Sequence, residues 1–449
     1  MPATPSHPDD GDLAGPEADS DAPLATRPRW TYVLPYLGRV PPLTSRQWRI
    51  LGLLTAAEFF DHYDIGIMGL ALLQIQQGLG IAEESLAGVA AVVRLGVIPA
   101  VACTVLADRL GRRRLLLATI LGFTLCTFGT AFVRDASQFM VLQFLARMFI
   151  YAETMLAAVV LAEELGARNR GWGIGVLGAM GALGHGLSAI VFGGVNLLPF
   201  GWRFLYVVGA APLLLLAWFR RALPETRRFE QHRAARRDRG DWRDWLRPFV
   251  DLMRMYPGRL AVLCSAAFPL DFVAITGVTF MAKTLQEVHG YAPAQVTILF
   301  IAGGAFGVLG NIVAGAWSDR FGRRIVVSAL IALSALGFTG FYHFAGWVII
   351  PAWIAMVFGL MGTNVLFKTM GSELFPTSYR ATASGVRQVV GVLGGVLGLA
   401  LEGTLYELTG SHSAAITLMI PVMAIPPLVI FAFLPETATR ELEDIAPER

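Results

Sequence analysis

The sequence has few charged residues for its length. Asp, Glu, Lys and Arg make up 15% of the 449 residues, whereas an ordinary soluble domain has roughly 25%. Hydrophobic residues make up 55%, and the mean hydropathy is +0.57. So few charges cannot cover so much apolar surface in water, which excludes a soluble enzyme and a disordered chain. The apolar stretches run for about 20 residues, which excludes the short alternating strands of an outer-membrane barrel and indicates membrane-spanning helices.

Cysteine and lysine are also scarce. The three cysteines, Cys103, Cys126 and Cys264, lie in apolar stretches without metal-site spacing or a disulfide framework. We therefore predict no metal and no cofactor. Of the 36 basic residues only Lys283 and Lys368 are lysines, and the net charge is +3. This charge is too small and too scattered to predict a nucleic-acid partner.

Twelve apolar stretches are each long enough to cross a bilayer as a helix. We number them segments 1 to 12, and they comprise residues 50–74, 85–106, 115–133, 138–161, 173–195, 202–220, 260–282, 295–316, 325–344, 347–370, 383–406 and 413–434.

The segments predict an all-α membrane protein of two six-helix bundles. Residues 49–222 form the first predicted bundle and residues 259–437 the second, with a charged cytoplasmic linker at 223–258. Residues 1–48 are predicted to be a disordered and partly amphipathic tail, without a cleavable signal peptide. Residues 438–449 are predicted to form a second cytoplasmic tail.

Arginine concentrates in alternate loops, those that follow segments 2, 4, 6 and 8. We call the side of the molecule with these loops the arginine-rich end, and the opposite side the arginine-poor end. Loops with an excess of arginine face the cytoplasm. This distribution predicts a multi-pass protein of the cell membrane, in a bacterial inner membrane, with both termini in the cytoplasm.

Local patterns at the arginine-rich end recur in the two halves of the chain. Asp-Arg-Leu-Gly-Arg-Arg in the first half becomes Asp-Arg-Phe-Gly-Arg-Arg in the second, and Leu-Pro-Glu-Thr occurs in both. Nearly equal offsets predict an internal duplication and pseudo-symmetric bundles. The repeated positions are Asp108 and Asp319 (offset 211), Glu163 and Glu373 (offset 210), Arg170 and Arg380 (offset 210), and Glu225 and Glu436 (offset 211).

The repeated motifs combine carboxylates and guanidiniums at helix ends. Asp108 and Arg112 are four residues apart and can pair along a helix, and Gly111 allows a tight turn between them. Such groups can form a network that closes the cytoplasmic side and exchanges partners between two states. The alternative is that they only set the topology. The predicted gating residues are Asp108, Arg109, Arg112, Glu163, Arg170, Glu225, Asp319, Arg320, Arg323, Glu373, Arg380 and Glu436.

These loops resemble the signature loop of the major facilitator superfamily. Ser-Glu-Leu-Phe-Pro-Thr-Ser-Tyr-Arg at 372–380 resembles the sugar-porter pattern after segment 10, and Pro-Glu-Thr at 435–437 resembles that group's C-terminal signature. Asp61-His62-Tyr63-Asp64 is similar to the D-G-F-D motif of aromatic acid:proton symporters, with His62 in place of glycine. Glu58-Phe59-Phe60-Asp61 is similar to the E-W-F-D motif of metabolite:proton symporters. The resemblance implies two bundles around a central cavity and transport by alternating access.

Segment 1 places four ionisable residues, Glu58, Asp61, His62 and Asp64, within seven positions. A charge at the bilayer centre costs at least ~2.5–3.5 kcal/mol, so we expect this cluster to line a wet cavity. Carboxylates beside a histidine can exchange a proton near neutral pH. We predict that Asp61 or Asp64 carries a coupled proton, with Glu58 as a further candidate. The alternative is a permanently charged carboxylate paired with an arginine of a neighbouring helix.

Asp271 of segment 7 is the repeat counterpart of Asp61, 210 residues later. It lies beside Pro269, where the helix can kink and expose backbone groups. We predict that it also takes part in proton coupling. The alternative is that Asp271 only forms hydrogen bonds inside the second bundle.

Basic residues inside the segments predict an anionic substrate. Arg94 and Arg147 can each neutralise a carboxylate of segment 1 or bind the substrate, and we favour substrate for Arg94 and neutralisation for Arg147. Lys368 can hold a substrate carboxylate, or it can extend its ammonium group to the cytoplasmic surface. The predicted substrate-binding residues are Arg94, Arg147, Lys368, His62, Tyr63 and Arg387.

Three polar residues near the arginine-poor end have simpler predicted roles. We expect Lys283 to anchor segment 7 at the membrane interface and His412 to be an interface residue. Glu402 is expected to be solvated near the outer end of segment 11.

The sequence has no Gly-Lys-Ser/Thr phosphate loop and no catalytic triad, which indicates an ion gradient as energy source and a protein that is not an enzyme. We predict a secondary active transporter, a proton-coupled symporter of a small organic solute such as a carboxylate or other metabolite. The alternatives are a proton-driven drug or metabolite exporter and a neutral sugar or polyol porter. The predicted partners are the solute, protons and the lipid bilayer, and the protein is expected to be a monomer.

Overall fold

The computed structural model describes residues 40–165, 167–220, 242–376 and 379–436, and each of the twelve predicted segments contains a helix. In the first half the helices are Ser45–Leu70 and Leu72–Leu79 (segment 1), Glu83–Arg94 and Val97–Leu110 (segment 2), Arg112–Thr130 (segment 3), Ala136–Glu164 (segment 4), Ala167–Gly193 (segment 5) and Trp202–Arg220 (segment 6).

The second half follows the same plan. A helix at Trp242–Met255 occupies part of the predicted linker, and the remaining helices are Pro257–Glu287 (segment 7), Pro293–Phe321 (segment 8), Arg323–His343 (segment 9), Ile349–Glu373 (segment 10), Arg380–Thr409 (segment 11), and His412–Met419 and Ile425–Phe433 (segment 12). The 3-10 turn Ile420–Ala424 joins the two parts of segment 12.

Within the described residues, nine helices have the length and hydropathy to cross a membrane. They belong to segments 2, 4, 5 and 7 to 12. The all-helical prediction is therefore confirmed, while the count of twelve membrane crossings and the bundle boundaries stay predictions. Most of the predicted N-terminal tail, up to residue 39, lies outside the described residues, as does the tail at 438–449.

Local sequence signals explain several helix ends. The Thr44 side chain accepts a hydrogen bond from the Gln47 backbone N–H, and the Gln47 side chain accepts one from the Thr44 backbone, which forms a capping box. Pro257 and Pro293 occupy first turns, where the missing N–H costs nothing. The repeated motif turns at a glycine in both halves, because Gly111 has φ 98° and Gly322 has φ 94°, which side chains rarely adopt.

Helix packing repeats between the halves. Segments 1 and 5, 3 and 4, and 2 and 4 pack together in the first half; their counterparts 7 and 11, 9 and 10, and 8 and 10 pack together in the second. Each contact recurs six segments later, as the internal duplication predicts. The two halves are therefore pseudo-symmetric bundles.

The bundles meet through segments 2 and 11 and through segments 5 and 8. Thr297 Oγ1 of segment 8 donates a hydrogen bond of 2.6 Å to the Ala189 carbonyl oxygen of segment 5. Segment 11 contacts mainly Glu83–Arg94 of segment 2 and touches Val97–Leu110 little. The bundles are thus closer together at the arginine-poor end than at the arginine-rich end.

Candidate functional site

Asp64 of segment 1 forms a buried ion pair with Arg147 of segment 4. Asp64 Oδ2 and Arg147 Nη2 are 3.9 Å apart, and the two side chains are 1% and 4% exposed. Asp64 Oδ1 accepts a hydrogen bond of 3.1 Å from Thr127 Oγ1 of segment 3. At 3.9 Å the two atoms are farther apart than in a direct charge-assisted hydrogen bond. The opposite charges still attract each other, but more weakly than in such a bond. A proton on Asp64 would remove the attraction and release Arg147.

Glu58 and His62 lie one helical turn apart on segment 1. Glu58 Oε2 accepts a hydrogen bond of 3.2 Å from Thr154 Oγ1, and His62 Nδ1 is 3.4 Å from Glu58 Oε1. The rings of His62 and His185 meet edge to face with their centroids 5.0 Å apart. The side chains of Glu58 and His62 therefore lie where segment 1 packs against segments 4 and 5, and His185 joins the predicted cluster.

Asp61 and Tyr63 are deeply buried in this conformation. Asp61 is 0% exposed, and Glu153 of segment 4 is also buried. The Tyr63 hydroxyl donates a hydrogen bond of 3.0 Å to the Leu205 carbonyl oxygen of segment 6. This contact ties Tyr63 into the first bundle and favours a packing role over the predicted substrate contact.

Asp271 is placed between basic groups of both bundles. Its carboxylate interacts electrostatically with Arg387 of segment 11 and with Arg94 of segment 2. It lies against Gly391, where any side chain would collide with Asp271 Oδ2. Arg94 Nη2 donates a hydrogen bond of 3.0 Å to Thr279 Oγ1 of segment 7, across the bundle boundary. The partners of Asp271 are therefore not confined to the second bundle.

Lys368 of segment 10 is exposed although charged groups of both bundles surround it. Its ammonium group is within electrostatic reach of Arg387 and of Glu58 in the opposite bundle, and His62 is also within reach. An accessible side chain with partners from both bundles lines a space between them. This space is the candidate site.

The candidate site combines fixed positive charge with carboxylates that can take up protons. Arg94, Lys368 and Arg387 supply guanidinium and ammonium donors, which bind carboxylates well. Glu58 and Asp271 compete for these donors. Each carboxylate that binds a proton leaves a basic group available for an anion.

Arg323 is the centre of an ion network at the arginine-rich end of the second bundle. Its guanidinium lies 2.5 Å from Asp319 Oδ1 and 3.0 Å from Glu373 Oε1. Glu436 Oε1 accepts a hydrogen bond of 2.8 Å from the Arg323 backbone N–H. The predicted pairing of Asp and Arg four residues apart is therefore present in the second copy of the motif.

The first bundle contains the matching pair. Arg112 Nη2 lies 2.7 Å from Glu163 Oε1, as Arg323 pairs with Glu373 in the second bundle. Two predicted gating residues have other partners: Arg380 donates to the Phe375 carbonyl oxygen at 3.0 Å, and Arg320 lies over the Phe321 ring. Glu225 lies outside the described residues, as do the side chains of Asp108, Arg109 and Arg170.

All of these pairs stay within one bundle. They hold helix ends of the same bundle together, and none of the ion pairs among the described side chains at the arginine-rich end joins the two bundles. The predicted closure of this end by such pairs stays a prediction.

A second ion network lies at the arginine-poor end, and the sequence analysis misses it. Lys283 is 1% exposed, with its Nζ 3.0 Å from Glu83 Oε1 of the first bundle and in contact with Glu287. The interface-anchor expectation for Lys283 is therefore wrong. Glu402 is 0% exposed and contacts His412, so the expected solvation of Glu402 is wrong as well.

Among the described residues, no group of three His, Cys, Asp or Glu side chains could hold a metal ion. The charged residues of the candidate site pair with one another and with hydroxyl groups.

Known proteins resemble this chain over most of its length. A gallate transporter of Pseudomonas putida is 26% identical over 396 residues, which cover 82% of this chain and 87% of that protein. The 4-hydroxybenzoate transporter PcaK of Pseudomonas aeruginosa is 25% identical over 407 residues, which cover 84% and 90%. An inward-open structure of the xylose transporter XylE of E. coli has a TM-score of 0.72 at 17% identity, and the match covers 89% of this chain and 99% of that one.

The sequence profile of the Major Facilitator Superfamily matches residues 54–399 and, in a second overlapping match, residues 261–448. The first match alone covers more than half of the chain. With its several apolar helices, the chain is a multi-pass membrane protein that transports a solute, and it is not an enzyme. It belongs to the Major Facilitator Superfamily.

Proposed function

We propose that this protein is a proton-coupled symporter that imports a small organic acid, and that an aromatic carboxylate is the preferred substrate class. The observation that carries the proposal is the space between the bundles, where Lys368 is accessible beside Glu58 and Arg387. A neutral solute would not need so many basic groups, which are costly to bury. Gallate and 4-hydroxybenzoate, the solutes that name two relatives, are both aromatic carboxylates.

The orientation follows from the positive-inside rule, with the arginine-rich end in the cytoplasm. The contacts between bundles at the arginine-poor end then close the outer side, and the structure represents an inward-facing state. The XylE structure that this chain resembles is described as inward open. Alternating access requires a second state in which the outer contacts break and the arginine-rich end closes.

Protons and the anion are coupled through shared basic groups. With Glu58, Asp64 and Asp271 ionised, the basic groups near them are neutralised and an anion gains little by entering. When the outer medium supplies a proton to one of these carboxylates, a basic group is released and attracts the substrate carboxylate. Asp64 and Arg147 form the ion pair that such a proton breaks, so Asp64 is the first candidate, with Asp61 and Asp271 as further proton sites.

Arg94, Arg387 and Lys368 are the proposed contacts for the substrate carboxylate, and Arg147 joins them once a proton on Asp64 releases it. His62 lies at the edge of the same space. Arg94 now donates to Thr279 and would have to exchange that hydroxyl for the substrate. A guanidinium offers two parallel N–H donors to a carboxylate, so this exchange favours the anion.

Uptake of labelled 4-hydroxybenzoate into proteoliposomes tests the proposal, with the matched neutral amide 4-hydroxybenzamide as the control. An acidic exterior should drive faster and larger accumulation of the acid than in protein-free liposomes, which measure passive entry of the protonated acid, and the amide should not accumulate. A proton ionophore should abolish the accumulation. The same panel should include gallate and xylose.

Other outcomes would assign the alternatives. Accumulation of xylose without accumulation of any acid would identify a neutral porter. Proton-driven efflux without uptake would identify an exporter. Absence of any effect of the proton gradient on uptake of the acids would overturn symport.

We further propose that the protein works as a monomer in the bacterial inner membrane, with both termini in the cytoplasm and without a nucleic-acid partner. The two bundles of one chain enclose the space between them, so one chain supplies a complete site. Light scattering of the detergent-solubilised protein tests the monomer, and reporter fusions at residues 1 and 449 test the topology.

A further inference from the structure

Five ionisable residues from both bundles meet at the arginine-poor end. Glu83 begins the helix of segment 2 in the first bundle, whereas Lys283 and Glu287 end segment 7 in the second bundle. Glu402 of segment 11 and His412 of segment 12 complete the group. We call these five residues the outer cluster.

His412 lies between two carboxylates. Its Nδ1 is 2.6 Å from Glu402 Oε1, and its Nε2 is 3.0 Å from Glu83 Oε2. The imidazole stacks between the rings of Phe280 and Tyr406, each with its centroid 4.3 Å away. The histidine is 8% exposed, and the aromatic rings hold it so that both ring nitrogens point at carboxylate oxygens.

With both ring nitrogens facing carboxylate oxygens, each contact needs its own proton. A neutral histidine between two ionised carboxylates has only one proton for the two contacts. A neutral imidazole has one N–H donor, so its second nitrogen would turn a lone pair toward a carboxylate oxygen. An imidazolium donates from both nitrogens, and a protonated Glu402 or Glu83 would satisfy the second contact equally well. Glu402 Oε2 is buried with no hydrogen-bond partner among the described residues, which disfavours a bare carboxylate there.

The surrounding charges also favour the extra proton. Glu83, Glu287 and Glu402 carry three negative charges against the single ammonium group of Lys283. The uncharged polar groups facing the cluster are Gln76 beside Glu83, Tyr406 and Tyr342, and Glu84 adds a further carboxylate near Tyr406. A positive charge on His412 offsets part of this negative surplus and lies between two aromatic faces, which attract cations.

The cluster joins the two bundles. Glu83 contacts Lys283 and His412 across the bundle boundary, whereas Glu402 and His412 belong to the same bundle. Opening of this end would separate Glu83 from both partners and leave the pair of Glu402 and His412 facing the outside. The need for the extra proton is therefore greatest in the closed state.

We propose that Glu83, His412 and Glu402 form a proton-binding site of the outer gate, separate from the central carboxylates, and that proton uptake from outside stabilises closure of this end. The proposal rests on the proposed function for its orientation. The proton enters and leaves on the same side, so it changes the balance of the two states without being transported. Acidification should favour the closed state, by at most about tenfold per pH unit for one proton.

Electron–electron distance measurements between spin labels test the site without solute or gradient. The labels occupy Leu197→Cys of the first bundle and Leu408→Cys of the second, which are 90% and 78% exposed, in a chain whose three cysteines are replaced by serine. In nanodiscs the short-distance population should increase as the pH falls from 8 to 5.

Two variants should remove this pH response, one by keeping the end closed and the other by keeping it more open. Glu402→Gln lets a neutral histidine make both contacts, so the gate should stay closed at high pH. His412→Gln has one side-chain nitrogen in place of two and no positive charge at any pH, so it cannot replace both ring nitrogens, and the gate should stay more open at low pH. His343→Gln changes an accessible histidine that ends segment 9 at the same end, and it should keep the wild-type response.

The proposal is overturned if both variants keep the wild-type pH response, or if His343→Gln removes it equally. The ratio of protons to solute should be unchanged in His412→Gln, because this proton is not transported. A failure of proton-coupled uptake in the wild type would contradict the proposed function alone, since the distances depend on neither solute nor gradient.

Discussion

Ion pairs connect different partners at the two ends of the molecule. At the arginine-rich end, Arg112 pairs with Glu163 and Arg323 with Glu373, and each pair lies within one bundle. At the arginine-poor end, Glu83 of the first bundle contacts two basic residues of the second, Lys283 and His412. A pair within a bundle survives when the bundles move as rigid bodies, whereas a pair between bundles forms in one state and breaks in the other. Ion pairs therefore stabilise the fold of each bundle at the arginine-rich end, whereas at the arginine-poor end they stabilise the state in which the bundles are in contact.

Asp64→Asn should have the largest effect, because it changes a buried ion pair in the middle of the first bundle that is proposed to carry the coupled proton. The change leaves Arg147 without its buried counter-charge and prevents Asp64 from exchanging a proton. Accumulation driven by a proton gradient should fall to the level without a gradient, while solute exchange should persist. Proteoliposome uptake and counterflow assays measure both quantities.

The parallel variant Asp61→Asn identifies the proton site. If Asp64→Asn accumulates solute normally and Asp61→Asn does not, the coupled proton belongs to Asp61. If both accumulate normally, Asp271 and Glu58 are the remaining candidates.

Glu83→Gln should open the arginine-poor end, because it weakens two contacts between bundles. Both contacts keep a hydrogen bond but lose the negative charge of Glu83, and we expect a cost of about 2 kcal/mol, or roughly a 30-fold shift toward the open state. The alkylation rate of Ala87→Cys, a buried position beside Gly403, measures the shift in a chain without other cysteines. Glu84→Gln changes the exposed neighbouring carboxylate and should leave the rate within about twofold. Equal rates for the two variants would contradict the role of Glu83.

Arg323→Ala should lower thermal stability without opening the arginine-poor end. Its partners Asp319, Glu373 and Glu436 all belong to the same bundle, and we expect a loss of about 1–2 kcal/mol. Thermal unfolding in detergent and the alkylation assay measure the two effects. Arg320→Ala, which removes a contact with the Phe321 ring, is the matched control and should cost less than about 0.5 kcal/mol. A change in alkylation caused by Arg323→Ala would show that the network couples the bundles.

Gly322→Ala should lower the stability by a smaller amount, and its comparison with Gly111→Ala distinguishes the two copies of the repeated turn. The positive φ angles at Gly111 and Gly322 each cost an alanine about 1 kcal/mol. A Cβ atom at Gly322 would also lie 2.7 Å from Glu436 Oε2. Gly322→Ala should therefore lower the melting temperature more than Gly111→Ala, and the reverse order would contradict the role of Glu436.

The helices and their repeat could be predicted because their signals are local. Runs of apolar residues specify a helix in lipid whatever the rest of the chain does, and a constant offset of 210 or 211 residues reveals the duplication. The pairing of Asp319 with Arg323 is local in the same way, since four residues bring the side chains to one helix face.

The outer cluster could not be predicted, because its contacts join distant positions. Glu83 and His412 are 329 residues apart, and Glu83 and Lys283 are 200 apart. The spacing of four residues between Lys283 and Glu287 predicts that they pair along the helix, but it does not indicate a partner in the other bundle. Lys283 and Glu402 therefore looked like solvated groups near a membrane surface.

Apolar runs, repeated motifs and the distribution of arginine were sufficient to establish a duplicated helical transporter with charges inside its segments. Each of these features depends on neighbours along the chain and on the lipid that surrounds it. The partner of each buried charge was decided by tertiary structure, which pairs Arg147 with Asp64, Arg94 with Thr279 and Glu83 with His412. A buried charge is stabilised by whichever group packing places within a few ångströms, and packing depends on the whole chain.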